Sequence, residues 1–174
     1  DAAEALLKAG ADPNARALKY GGETALYEAA SFSHVDTEAK KDPKYVKLLL
    51  KYGADPNIGL LNGYNDLTET GETPLMNSIG CGIEKTKALV EGGANINAKT
   101  PTGNTAAIKA LVWGSGGMAD RALEYAHYLI AEKHADVTKP WFPKPFFPSD
   151  PQSRREPVKI LRDWYRKLGS EGYR

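Results

Sequence analysis

The chain has 174 residues, 41% of them hydrophobic, and 23 Lys and Arg against 22 Asp and Glu leave a formal net charge of +1. That is enough apolar material for one packed domain and gives no global field to draw nucleic acid or an anionic bilayer. Every apolar stretch stops well short of the ~20 residues that span a bilayer, and the single cysteine, Cys81, excludes an internal disulfide and leaves the redox compartment open.

Asp1 to Ala9 reads as one helix with Ala5, Leu6 and Ala9 on its apolar face. It closes at Gly10-Ala11-Asp12-Pro13-Asn14, where the glycine suits a left-handed C-cap that a Cβ makes costly. Gly22-Glu23-Thr24-Ala25-Leu26 opens the next helix, because a Thr hydroxyl accepts hydrogen bonds from the free N–H groups of a first turn. An inserted polar loop, Ser33 to Asp42, follows; Asp42 is the expected N-cap and Pro43 the first helical residue of a segment patterned by Tyr45, Val46, Leu49 and Leu50. Gly53-Ala54-Asp55-Pro56-Asn57 ends that helix.

From Asn57 to Gly71 the connection lengthens into a finger carrying Leu60, Leu61, Tyr64 and Leu67, with Asn62-Gly63 as the turn at its tip. Either the finger is a contact surface or it folds back on its neighbour, and both readings stay open here. Gly71-Glu72-Thr73-Pro74-Leu75 opens a further helix, Ile79-Gly80-Cys81-Gly82 turns the chain, and Ala88, Leu89 and Val90 lead to Gly93-Ala94-Asn95-Ile96-Asn97. Gly103-Asn104-Thr105-Ala106-Ala107 begins the last pair, a second inserted loop runs from Gly114 to Asp120, which caps the next helix, and His134-Ala135-Asp136-Val137-Thr138 closes it. Five prolines from Pro140 to Pro151 then interrupt Trp141, Phe142, Phe146 and Phe147, which excludes a regular helix and suits a segment sealing the last core layer. Val158, Leu161, Trp164, Tyr165 and Leu168 predict an amphipathic terminal helix.

The closing motifs recur at 43, 40 and 41 residues and the Thr motifs alternate with them, so each repeat is a hairpin loop and two helices. This pattern resembles the ankyrin repeat family, whose unit is ~33 residues with a Thr-Pro-Leu-His-x-Ala opening; the resemblance runs from about Asp1 to Lys139. It implies an all-α solenoid with hairpin fingers, made of a half unit 1–14 and full units 15–57, 58–97 and 98–139, followed by a Pro/aromatic segment 140–151 and a capping helix with tail 152–174. A solenoid end needs a polar cap, so a partner helix is expected ahead of Asp1. The family His is replaced by Tyr27, Met76 and Ile108, and only Pro74 keeps the Pro, so the His-centred hydrogen bonds of the family are not implied. Twenty-nine residues separate Thr24 from Gly53 and Thr105 from His134, against 20 from Thr73 to Gly93, which assigns the insertions to the first and last full units.

Little in the chain suits catalysis. His34 falls in a polar loop, His134 reads as a local cap, and Cys81 reads as a small buried residue with no base placed beside it. Glu124 and His127 have metal-ligand spacing on one helix but no third ligand near them. Gly114-Ser115-Gly116-Gly117 lacks the Lys-Ser/Thr of a phosphate loop. No catalytic residue, metal or cofactor is therefore expected. The tail after Gln152 is net +4, which a solvated helix face explains, and its Trp164 and Tyr165 fall on the buried side, so neither nucleic acid nor a membrane is the expected partner.

The resemblance implies instead another protein as partner, bound by a monomeric chain on the concave face. Matching positions on the fingers are Arg16, Lys19, Tyr20, Leu60, Leu61, Tyr64 and Thr102; on the first helices they are Glu23, Tyr27, Ser31, Phe32, Glu72, Met76, Asn77, Asn104, Ile108 and Lys109. The leading expectation is a non-catalytic binding module. A narrower alternative is an inhibitor or immunity-type protein whose finger enters the active cleft of a toxin or enzyme, and a third is a small hydrolase or metal enzyme centred on Cys81 or His127. The compartment stays open between the cytoplasm and, if an export signal was removed, the bacterial periplasm.

Overall fold

Threonine hydroxyls start the helices and left-handed residues stop them. In the computed structural model, which describes residues 1–31, 42–64, 68–114 and 124–136, Thr24 Oγ1 accepts from the Tyr27 amide at 3.2 Å and Thr105 Oγ1 from Ile108 at 3.2 Å. Thr73 Oγ1 accepts from Met76 at 3.4 Å with Pro74 in the first turn. Such a cap contributes about 1 kcal/mol. At the other ends Gly10, Gly53 and Gly93 have φ near +90°, at 93°, 89° and 92°. Beyond all three the chain reaches back five residues, Ala11 N to Leu6 O at 3.1 Å, Ala54 N to Leu49 O at 3.0 Å and Ala94 N to Leu89 O at 2.9 Å, which satisfies carbonyls the helix leaves free. His134, in the glycine place, is also left-handed at φ 58°.

These signals delimit helix α1 (Ala2–Lys8), a ribbon of β1 (Arg16–Ala17) and β2 (Glu23–Thr24) bridged by a 3₁₀ turn (Leu18–Tyr20), and α2 (Ala25–Ala30). They continue with α3 (Lys44–Lys51), α4 (Pro74–Asn77), α5 (Ile83–Glu91), α6 (Ala106–Gly114) and a π-helical stretch, His127–Glu132. The strands are antiparallel, Arg16 opposite Thr24 and Ala17 opposite Glu23. Helix α2 packs on α3 and α4, α3 on α5, and α4 on both α5 and α6. First helices thus stack in one row and second helices in another, and Leu26, Val46, Leu75, Leu89 and Leu129 fill the space between them beside the small Ala30, Ala88 and Ala107. The expectations for Phe32, His34, Leu67, Asp120, most of both inserted loops, the Pro/aromatic segment and the terminal helix lie outside the described residues.

Two local expectations are corrected. Ala5, Leu6 and Ala9 of α1 are exposed, and Leu7 is the residue that packs against the core. The helix turns Glu4 and Leu7 inward because its neighbour is α3, to which Tyr52 Oη–Glu4 Oε1 at 3.5 Å and Lys44 Nζ–Asp1 Oδ2 at 2.8 Å tie it. Pro43 flanks α3 rather than opening it, while Asp42 Oδ1 still accepts from the Lys44 amide at 2.9 Å.

A ladder of asparagines joins the repeats along the loop edge. Asn14 Oδ1 accepts from Asp55 N at 2.8 Å and its amide donates to Gly53 O at 3.0 Å. Asn57 repeats both bonds one unit on, from Asn95 N at 2.7 Å and to Gly93 O at 3.2 Å, and Asn97 Oδ1 accepts from Asp136 N at 2.7 Å. The side chain that ends each loop thereby fixes the height of the next.

Candidate partner-binding face

The first finger reverses through Gly21 and Gly22, both left-handed at φ 66° and 76°. Their bareness matters twice, because a Cβ on Gly21 would stand 2.3 Å from Asn62 O and one on Gly22 2.8 Å from the Leu61 side chain. The second finger lies directly on that backbone: Leu61 N and Asn62 N both donate to Gly21 O, at 2.8 and 3.2 Å. It is itself a hairpin, with Leu60 N donating to Glu72 O at 3.0 Å and Gly71 N to Leu60 O at 2.8 Å. The fold-back reading of the finger therefore describes Leu60 and Leu61. Asn62-Gly63 does not form the tip, since Asn62 is engaged by Gly21 and Tyr64 N donates to Thr68 Oγ1 at 3.0 Å, further along the hairpin.

Arg16 Nη1 donates to Gly22 O at 2.9 Å and Gly59 O at 3.0 Å, which locks the two fingers together. Glu69 does the same between the second and third: its carboxylate accepts from Asn104 Nδ2 at 2.7 Å and from the Thr102 hydroxyl. Neither role was readable from the chain, because each pairs residues 33 to 43 apart with no local pattern. The repeated terminal Asn of the closing motifs was a legible signal for the ladder.

Docking of the second finger leaves an apolar surface in view. Leu61 is 47% exposed and Tyr64 42%, beside Leu18 at 75% and Tyr20 at 50% on the first finger. Lys19 sits 5.8 Å over the Tyr20 ring. Leu18 was absent from the expected contacts, although its place in the finger, away from either helix face, marks it.

Along the first helices several expected contact residues are core instead. Tyr27, Met76, Ile108 and Leu60 are buried, as is Glu72, so none offers a partner any surface. The reason is the stack itself: α2, α4 and α6 stand side by side, and the positions that hold the family His fall in the layer between them. Asn77 is half-buried and donates to Tyr27 O at 3.1 Å. Glu72 forms an ion pair with Lys109 and accepts from Glu69 N at 3.2 Å, so its burial is compensated. Half-exposed at the same edge are Glu23, Ser31, Asn104 and Lys109, and Thr102 is exposed; Phe32 lies outside the described residues.

Tyr64 Oη donates to Glu23 Oε2 at 3.2 Å. Burial and the Glu28 charge raise the Glu23 carboxyl despite that bond, and burial with the Glu23 charge pushes the Tyr64 phenol up to about 12. The Tyr27 hydroxyl is shifted up by burial and then by Glu72, and it has no hydrogen-bond partner among the described residues. Lys85 is buried with its ammonium on Ser31 O at 2.8 Å, and burial lowers its pKa.

The residues considered for chemistry do not converge. Burial pushes the Cys81 thiol up to about 11, which leaves it protonated and unreactive at neutral pH. His127 Nδ1 meets Glu132 Oε1 at 3.1 Å, five residues on, because the π-helical winding brings i and i+5 together. Among the described residues there is no group of three His, Cys, Asp or Glu able to hold a metal, and no helix is long and apolar enough to cross a membrane.

No curated protein matches the chain. The family model of ankyrin repeats, in three copies, matches residues 38–140. Ankyrin repeats are generally protein–protein interaction modules and typically non-enzymatic. With more than half its length matched, the chain belongs to the ankyrin repeat family.

Proposed function

We propose that the chain binds a protein partner through the exposed edge of its first two fingers, with Tyr20, Leu61 and Tyr64 as anchors, Leu18 and Lys19 beside them, and the half-exposed residues of the first helices as a polar border. The observation that carries this is the gathering of Leu18, Tyr20, Leu61 and Tyr64 on two hydrogen-bonded hairpins. Tyr is enriched among the residues that anchor interfaces, and a fully buried Leu contributes about 1.5–3 kcal/mol. In this reading the chain is divided into a half unit 1–14 and full units 15–57, 58–97 and 98–139 and acts as a monomer. The inhibitor alternative relied on a finger free to enter a cleft; the bonds from Leu61 and Asn62 to Gly21 favour a flat docking surface instead.

Affinity capture from native lysate with the wild-type chain and a Tyr20→Ala/Leu61→Ser variant in parallel tests the reading. The expected result is one stoichiometric protein held by the wild type and lost by a variant with unchanged melting. Equal retention on both baits would move the site off the fingers.

A further inference from the structure

We propose that Asn62 is a site of spontaneous covalent modification: its carboxamide is lost to attack by the Gly63 nitrogen, and the isoaspartate that results lifts the second finger off the first. The chemistry needs no partner, so it stands apart from the protein-binding reading.

Asn62 is exposed, and Gly63 follows it with no Cβ to shield its nitrogen. Both reacting groups are free. Asn62 N donates to Gly21 O, but no hydrogen bond among the described residues engages the Asn62 carboxamide or the Gly63 N–H. The other described asparagines differ on both counts. The carboxamides of Asn14, Asn57, Asn77, Asn95, Asn97 and Asn104 are all hydrogen-bonded, and each of these residues is followed by one with a side chain. The bonds of the asparagine ladder thus also hold its side chains back from reaction, whereas Asn62 joins the fingers by its backbone alone.

In the reaction Gly63 N loses its proton to base and attacks Asn62 Cγ. The N–Cγ bond forms, the Cγ–Nδ2 bond breaks and ammonia leaves, closing a succinimide ring. Water then adds to one of the two imide carbonyls. Opening at Cγ gives aspartate; opening at the former main-chain carbonyl gives isoaspartate, whose chain runs on through Cβ and Cγ. The net change is amide and water to carboxylic acid and ammonia.

Isoaspartate is the product that disturbs the fold, because it adds a methylene to the main chain and turns the former Asn62 carbonyl into a carboxylate. That carbonyl packs on Gly21, where a Cβ would stand 2.3 Å from its oxygen, and beside it Leu61 N and Asn62 N donate to Gly21 O at 2.8 and 3.2 Å. A lengthened chain loses this register, and a carboxylate beside the Gly21 carbonyl repels it. Leu61 and Tyr64 flank the site, so on the protein-binding reading the change also spoils the docking surface.

The full chain held at pH 8 and sampled over weeks, with peptide mapping by mass spectrometry and isoaspartyl methyltransferase labelling, provides the test. Asn62 is expected to convert ~10-fold or more faster than any other described asparagine, mainly to isoaspartate, and no more than ~10-fold slower than in urea. Asn62→Gln, whose longer side chain closes the ring poorly, should remove the product and melt like the wild type. An unconverted Asn62, another described asparagine converting first, or a native rate far below that in urea would each overturn the inference. The isoaspartate form, separated chromatographically, should lose hydrogen-exchange protection at the Leu61 amide, while freshly prepared Asn62→Asp, which adds charge without the extra methylene, keeps it. Protection retained in the isoaspartate form would overturn the lifting of the finger. None of these readouts involves the partner, so the lysate capture judges the binding reading separately.

Discussion

His134 stands where the other repeats carry glycine and holds φ at 58°, a conformation that a Cβ disfavours by about 1–2 kcal/mol. His134→Gly should therefore raise stability by ~1 kcal/mol, a gain of about 2–4 °C in a thermal melt. Gly53→Ala should do the reverse by a similar amount, because a Cβ there meets nothing within 4 Å and the penalty is conformational alone. Cys81 gives a chemical check on burial: with its thiol pushed up to about 11, alkylation by iodoacetamide at pH 8 should be at least ~10-fold slower in the native chain than in urea. Caps and left-handed stops were legible in the sequence because a Thr hydroxyl and a positive φ act within a few residues. The burial of Tyr27, Met76 and Ile108 was not, since the side of a first helix that meets its neighbours in the stack is as apolar as one that meets a partner.

At the scale of elements, the asparagine ladder and the finger pairing do the joining. Asn57→Ala removes two inter-repeat bonds at an exposed edge, where each contributes ~0.5–1.5 kcal/mol, so a loss of ~1–2 kcal/mol is expected. Hydrogen exchange should show the Asn95 amide opening faster while the core of α5 is unchanged. Gly21→Ala should act more strongly and elsewhere. Its Cβ would collide with the Asn62 carbonyl at 2.3 Å, so the second finger must lift and the Leu61 amide lose its protection. The long finger was legible as an apolar hairpin, but its tip was misplaced: Asn-Gly favours a tight turn locally, and the tertiary bond of Asn62 to Gly21 overrides it.

Across the whole molecule, alkaline pH should unfold the chain through groups that burial keeps protonated. Cys81 is pushed from 9.0 to about 11 and Tyr125, whose hydroxyl accepts from Gly82 N at 2.7 Å, from 10.0 to about 12. The unfolded chain releases these protons first, so their contribution is complete below about pH 9 and is lost as pH rises towards 11 and 12. Lys85 works in the opposite sense, its lowered pKa adding stability as pH climbs to the unfolded value of 10.5. Urea melts at pH 8, 9.5 and 11 should show a falling midpoint, and Cys81→Ala should make the fall smaller between pH 9 and 11.

The sequence by itself determined the threonine starts and left-handed stops of the described helices, and hence the family, because these depend on cap chemistry and backbone sterics acting over a few residues. Only the tertiary structure decided which residues of the fingers and first helices face outward. That choice is made by bonds that span the stack: Arg16 to Gly59, Asn57 to Asn95 and Leu61 to Gly21. A linear chain carries no local trace of such pairings, since each partner satisfies its own neighbourhood without naming the other, and stacking alone turns Tyr27 into core and leaves Leu18, Tyr20, Leu61 and Tyr64 for a partner.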